Sequence, residues 1–186
     1  MAGLTGSAET RLVIIRGNSA SGKSTVARLL RERVGRGVAL IQQDHVRRIL
    51  LQEYDRVGSS NIVMIDTIAR TALDQGYDVI IDGIMNVDRY AEMLNRLIDD
   101  HRGRSVAVYL NIPVDETMRR HRTKPDIGEV PEETVRSWYA ADDLLPERDE
   151  LVFGPELSAA EMVQELFQRT GFRPRDGSAE LPPHSR

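Results

Sequence analysis

Short apolar runs without alternation punctuate the chain, and the stretches between them carry apolar residues every three or four positions. The runs Leu12–Arg16, Val38–Gln42, Asp78–Asp82, Arg104–Leu110 and Glu150–Phe153 are rich in Val, Ile and Leu, the pattern of strands buried on both faces. Helical spacing fills Lys23–Val34, His45–Tyr54, Asn61–Gln75, Asp88–His101, Val114–Arg122, Glu132–Ala141 and Ser158–Arg169. The segment "NIVMID" (Asn61–Asp66) also fits a strand ending in an acid. Ile62, Ile65, Ala69, Ala72 and Leu73 continue at helical spacing, however, and Gly76 closes the pattern, so a helix is predicted there. Strand–helix alternation along the whole chain predicts an α/β fold, a parallel five-stranded sheet flanked by helices on both faces.

The 186 residues suit one domain. Residues 1–10 are expected to be a flexible N-terminus, 11–170 the domain, and 171–186 ("GFRPRDGSAELPPHSR"), mixing Pro, Gly and charge with few apolar positions, a disordered tail. The absence of cysteine removes disulfides and thiolate metal sites and fits a reducing compartment. "MAGLTGSAETR" lacks the basic start and apolar core of a secretory signal, and no apolar run approaches the roughly 20 residues that span a bilayer, so a cytoplasmic protein with no membrane partner is expected. A net charge of −4 weighs against a dedicated duplex-binding domain while leaving room for a local basic channel.

Chemistry enters with "GNSASGKST" (Gly17–Thr25), set between the first apolar run and the first helical stretch. It fits G-x-x-x-x-G-K-[ST] at Gly17, Gly22, Lys23 and Ser24. Glycines let consecutive N–H groups curl around an anion, and the following helix adds its N-terminal amides and dipole. Lys23 brings a full positive charge to the β- and γ-phosphates, and Ser24 offers a hydroxyl to Mg²⁺. The intervening Asn18, Ser19, Ala20 and Ser21, and Thr25 after them, complete the expected P-loop NTPase cradle for a nucleoside triphosphate. "TKPD" (Thr123–Asp126) and "DRVG" (Asp55–Gly58) mimic GTPase motifs, but neither sits at the end of a buried strand.

The second apolar run ends near Gln42 and delivers Asp44 to the carboxyl edge of the sheet, where open α/β proteins bind ligands. Asp44 can take the proton of an attacking hydroxyl, with Arg47 on the same helical face to reach acceptor or phosphoryl oxygens; alternatively, Asp44 caps the helix. Asp82 ends the third run and either holds Mg²⁺ through water or hydrogen-bonds the acceptor, in which case Gly83, Met85 and Asn86 line the acceptor pocket; alternatively, it caps the loop that follows. "RRHRTK" (Arg119–Lys124) concentrates positive charge, and Arg119 and Arg122, at i and i+3, share a face. Trp138 and Tyr139 read as structural. His45, His101 and His184 lack metal-like spacing, and no metal beyond nucleotide-bound Mg²⁺ is predicted.

In order, "GNSASGKST", "QQDHVRR", "IIDGIMNVDRY" and "MRRHRTKPDIGEVPEETVRSWY" resemble the small P-loop kinases, the group of polynucleotide 5′-hydroxyl kinase, chloramphenicol phosphotransferase and zeta-toxin-like enzymes. The resemblance covers roughly residues 12–139 and is nearest to the phage-type polynucleotide kinase domain. It implies a helical lid at about 119–131, Asp44 as general base, Arg47 as the adjacent substrate- or phosphate-binding arginine, and Arg119, Arg120 and Arg122 as lid arginines. Within that lid Arg119 is assigned to the nucleotide and Arg122 to the transferring phosphoryl group. The sequence ends soon after the kinase-sized unit, with no appended phosphatase domain, a departure from the nucleic-acid enzyme that puts an end-healing role in doubt. The function expected is an ATP-dependent, Mg²⁺-requiring kinase acting on a hydroxyl of a small molecule such as a nucleoside, an antibiotic or another metabolite. The alternatives are a kinase for the 5′ end of single-stranded nucleic acid and a nucleotide-gated binding module without transferase activity. Oligomeric state is not legible.

Overall fold

The computed structural model describes residues 3–122 and 131–173. Its strands are β1 (Arg11–Gly17), β2 (Val38–Gln42), β3 (Asp78–Asp82), β4 (Arg104–Leu110) and β5 (Leu151–Phe153). They form one parallel sheet in the order β2-β3-β1-β4-β5. The helices are α1 (Lys23–Val34), α2 (Ser60–Asp74), α3 (Val87–Asp100), α4 (Val114–His121), α5 (Glu132–Ser137) and α6 (Ala159–Thr170), with a π-helical segment at His45–Leu50.

Successive residues of β1 point to opposite faces and all but Arg11 are buried, which is why the run does not alternate in polarity. Leu12 and Ile14 meet the apolar sides of α2 and α3 through Ile65, Leu73, Met93 and Leu97. Val13 and Ile15 meet α1 and α6 through Val26, Leu30, Val163 and Leu166. Because α1 leaves β1 toward one face and α3 leaves the adjacent β3 toward the other, a crevice opens above the carboxyl ends of these strands.

Five expectations are corrected. The stretch His45–Tyr54 is not an α-helix: the Leu51 amide donates to the Val46 carbonyl, the wider π spacing, and Gln52 at φ 51° ends the segment. Beyond it, Tyr90 and Arg89 hold the Asp55 carboxylate and pull the chain off a helical path. The Glu132–Ala141 helix stops at Ser137, because Asn18 and Tyr109 take both backbone groups of Ala140 between them. Residues 3–10 are tied down rather than flexible. Thr5 is 2% exposed, its amide donates to the Asp100 carbonyl and its hydroxyl to Asp74. Trp138, read as structural, is half exposed. At the other end, Phe172 is buried beside Phe167, so packed structure reaches past residue 171, while 174–186 lie outside the described residues, as do 123–130 of the expected lid. No helix among the described residues is long and apolar enough to cross a membrane.

Candidate active site

A cleft of about 370 Å³ lies at the crevice. The loop after β1 supplies Ser19, Ala20, Gly22, Lys23, Ser24 and Thr25; the end of β2 supplies Gln42, Asp44 and His45; the end of β3 supplies Asp82, Gly83 and Ile84; and α4 supplies Arg120.

The loop is shaped by where side chains cannot go. Gly17 sits at φ 141°, and a Cβ there would stand 2.7 Å from the Leu110 carbonyl oxygen of β4. Gly22 (φ 104°) opens α1, and Ala20 takes φ 60° without being glycine. The Lys23 ammonium folds back over the loop, donating to the Asn18 carbonyl at 2.7 Å and lying 3.4 Å from the Ser21 hydroxyl. The Asn18 side chain faces away from the cleft. Its Nδ2 donates to the Ala140 carbonyl (2.7 Å) and to the Tyr109 hydroxyl (3.1 Å), and its Oδ1 accepts from the Ala140 amide (2.9 Å). Asn18 thus contributes backbone to the cradle and latches it to the segment after α5.

Asp82 is registered between Ile15 of β1 and Gln42 of β2 and is 3% exposed. Burial raises its pKa above the ordinary carboxylate value, outweighing the opposing influence of the Ser24 hydroxyl and the Lys23 ammonium. Its Oδ2 has no hydrogen-bond partner among the described residues. A divalent cation fits this donor set: a buried, unpartnered carboxylate oxygen beside the hydroxyl that the P-loop motif assigns to Mg²⁺.

Across the cleft, the Asp44 carboxylate is largely exposed and accepts from Arg47 Nη2 at 2.9 Å. It makes no capping bond to the following segment, so the capping role weighed from sequence is absent. Arg47 pairs with Asp44 but does not line the cleft. Asn86 is also outside it: its Oδ1 accepts from Arg89. Met85 is fully buried at φ 44°, its carbonyl held by the Arg16 guanidinium. Gly83 does line the cleft, packed so closely that a Cβ would fall 2.5 Å from that of Gln43.

Of the three arginines at the C-terminal end of α4 and just after it, Arg119, Arg120 and Arg122, Arg120 is the one in the cleft, its Nη1 donating to the Ser21 carbonyl at 3.1 Å and its Nε to Glu116 at 2.7 Å. Arg119, mostly exposed, also binds Glu116, and the two arginines hold that carboxyl down at about 2. Arg122 points elsewhere, onto Glu132. Neither Arg119 nor Arg122 therefore reaches the phosphate cradle in this structure. The buried residues Thr117, Met118 and His121 define the packed face of α4, and Arg120 borders that face three residues after Thr117. That signal was readable, whereas the Arg119–Arg122 spacing alone did not say which stripe turns inward. Gln42, His45 and Ile84 also join the cleft without having been singled out as site residues.

Beside the cleft, Arg16 is fully buried at the end of β1. It donates to the Met85 carbonyl, the Asp143 carboxylate and carbonyl, and both oxygens of Glu150, and its guanidinium lies 5.6 Å from the Tyr109 ring centroid. Asp143 in turn accepts from the Val87 amide. One cation thus ties together the strand entering the cradle, the loop after β3 and the segment after α5.

A five-stranded parallel sheet with this loop, lysine and serine between its first strand and first helix defines the P-loop class. Residues 12–142 match the family model described as an AAA domain, and the chain belongs to that family. No curated protein matches the chain in sequence. Among solved structures, the Mycobacterium tuberculosis APS kinase CysC, in complex with AMPPNP and APS, is similar at a TM-score of 0.65 and 21% identity over 89% of this chain and 97% of that one. A gluconokinase from Sinorhizobium meliloti 1021 gives 0.57 and 17% over 91% and 94%. The Pnkp1/Rnl/Hen1 RNA repair complex gives 0.54 and 16% over 92% of this chain and 51% of the matched one. The shared fold is that of the small P-loop kinases, the group the motifs resemble.

Proposed function

We propose that the protein is an ATP-dependent kinase that transfers the γ-phosphate to a hydroxyl of a small-molecule acceptor. The observation that carries this reading is that one cleft is lined by Lys23, Ser24 and Arg120 of the phosphate cradle, by Asp82 beside Ser24, and by the exposed carboxylate of Asp44. Lys23, Arg120 and the loop amides bind the triphosphate and stabilise charge on the phosphoryl oxygens. Asp44 takes the acceptor's hydroxyl proton as the new O–P bond forms and the bond from the γ-phosphorus to the ADP oxygen breaks, leaving ADP. Arg47 holds Asp44 in place through their ion pair. Ser24 and Asp82 would hold Mg²⁺, which supplies charge neutralisation on the β- and γ-phosphates when bound. Arg119 and Arg122 are assigned to a closed lid only if their pairs with Glu116 and Glu132 exchange for phosphate.

The test is a labelled-ATP transfer screen across nucleosides, antibiotics, sugars and 5′-hydroxyl oligonucleotides. The proposal expects stoichiometric labelling of one small-molecule class. Labelling of oligonucleotides alone, with activity falling steeply as salt is added, would replace it with the polynucleotide reading. Tight ATP binding with no acceptor-stimulated turnover would replace it with the binding-module reading.

A further inference from the structure

Down one side of α1, Ser24, Arg28, Arg31 and Gly35 follow at i, i+4, i+7 and i+11, a single helical stripe. With Leu40 and Gln42 of β2 they line a groove of about 540 Å³. Ser24 and Gln42 also line the catalytic cleft, so groove and cleft are continuous. Several other arginines are engaged: Arg16, Arg70, Arg89, Arg120 and Arg148 hold carboxylates, and Arg33 and Arg56 lie over aromatic rings. The side chains of Arg28 and Arg31 make no hydrogen bond, ion pair or ring contact among the described residues, and Glu32 at the groove pairs with neither. Two guanidiniums one turn apart on a groove that runs into a phosphoryl-transfer site form a fork suited to a tetrahedral dianion.

We infer that the groove seats a phosphate carried by the acceptor, making the acceptor a phosphorylated hydroxyl compound rather than a neutral one. This rests on the kinase reading of the cleft. At 1.5 Å rise per residue, Arg28 and Arg31 stand about 6 and 10 Å along the helix from Ser24. From Ser24 and Gln42, where the groove meets the cleft, that span is about the length of one sugar ring, so a phosphate one ring away from a group in the cleft would fall at the two arginines. Such a phosphate belongs either to a small sugar or nucleoside monophosphate or to the backbone of a single strand, and one chemistry serves both.

The experiment uses the full chain saturated with AMPPNP and Mg²⁺, so that the cradle is filled, and titrates it calorimetrically with inorganic phosphate. The inference predicts one saturable site that weakens at least about tenfold in Arg28→Gln/Arg31→Gln, with AMPPNP affinity unchanged. No saturable site, or equal phosphate binding by the double variant (an adventitious ion only), overturns it. In transfer assays a monophosphate acceptor should have a KM at least about tenfold below that of its unphosphorylated counterpart, and the double variant should erase this difference while kcat holds. Equal KM values in the wild type overturn the inference. The salt dependence of KM identifies the source: a logarithmic slope near one marks a small monophosphate, and a slope of several marks a strand, both through the same groove. A chain that binds AMPPNP and phosphate but labels no acceptor keeps the groove and ends the kinase reading, so the two failures are distinguishable.

Discussion

Asp82 shows how a single side chain trades stability for chemistry. Its carboxylate is buried with one oxygen unpartnered, and its pKa is raised chiefly by desolvation. The folded protein therefore holds this proton more tightly than the unfolded chain. Stability from this group is full below the unfolded value of 3.8 and is lost as pH rises through the higher folded value. Without nucleotide or metal, Asp82→Asn should raise the Tm at pH 7 by roughly 2–6 °C, and the gain should shrink toward pH 4. The same variant should show a smaller Tm rise on adding Mg²⁺ and AMPPNP, read by thermal scans with and without them; a lower Tm at pH 7 in the absence of ligand would contradict the account. Asp44 and Asp82 were legible because each closes an apolar run in a protein whose cradle was already evident. The choice of Arg120 over Arg119 and Arg122 did not follow from arginine spacing, which groups side chains into stripes without saying which stripe packs inward; it follows from the buried face of α4 that Thr117 and Met118 mark.

At the scale of elements, the sequence spoke clearly wherever one buried face repeats. The range Lys23–Val34 was read as it stands, and the strand-like "NIVMID" is helix because Ile62, Ile65 and Ala69 form one buried stripe. Polar contacts over long sequence distances left no such trace. The π-helical segment depends on Arg89 and Tyr90 capturing Asp55, and the early end of α5 depends on Asn18 capturing Ala140. The N-terminal residues are held by hydroxyls rather than apolar groups: the Thr10 hydroxyl meets His101 Nε2 at 3.0 Å, while His101 Nδ1 meets the Ser105 hydroxyl at 2.8 Å. Burial, with Arg11 adding to it, pushes the His101 imidazole down to about 4. The unfolded chain therefore takes this proton first on acidification, and stability present above pH 6.5 is lost as pH falls toward about 4. His101→Gln should be less stable than the wild type at pH 7 yet lose less stability between pH 7 and 5, measured as urea midpoints. Parallel pH profiles for the two proteins would rule this contribution out.

For the whole molecule, the central question is how two sides of a cleft built from distant segments stay in register. Arg16 joins β1, the loop after β3 and the segment after α5, with Glu150 nearly as buried as the arginine itself. Removing one member of a buried pair costs about 3–5 kcal/mol, so Arg16→Met should lower the Tm by roughly 6–20 °C, with Arg16→Met/Glu150→Leu recovering part of the loss in thermal unfolding. A shift within about 2 °C would mean that the network does not hold the segments together. Sequence patterning could not reveal this hub, since an arginine at a strand's end reads as solvated until its partners are placed around it. The account as a whole requires a phosphate cradle and a proton acceptor facing one another across one cleft, and its most direct measurement compares wild type with Asp44→Asn for transfer from labelled ATP and for AMPPNP affinity. The account predicts a transfer rate lowered at least about 100-fold with AMPPNP affinity kept within about twofold; transfer by the variant at the wild-type rate would contradict it.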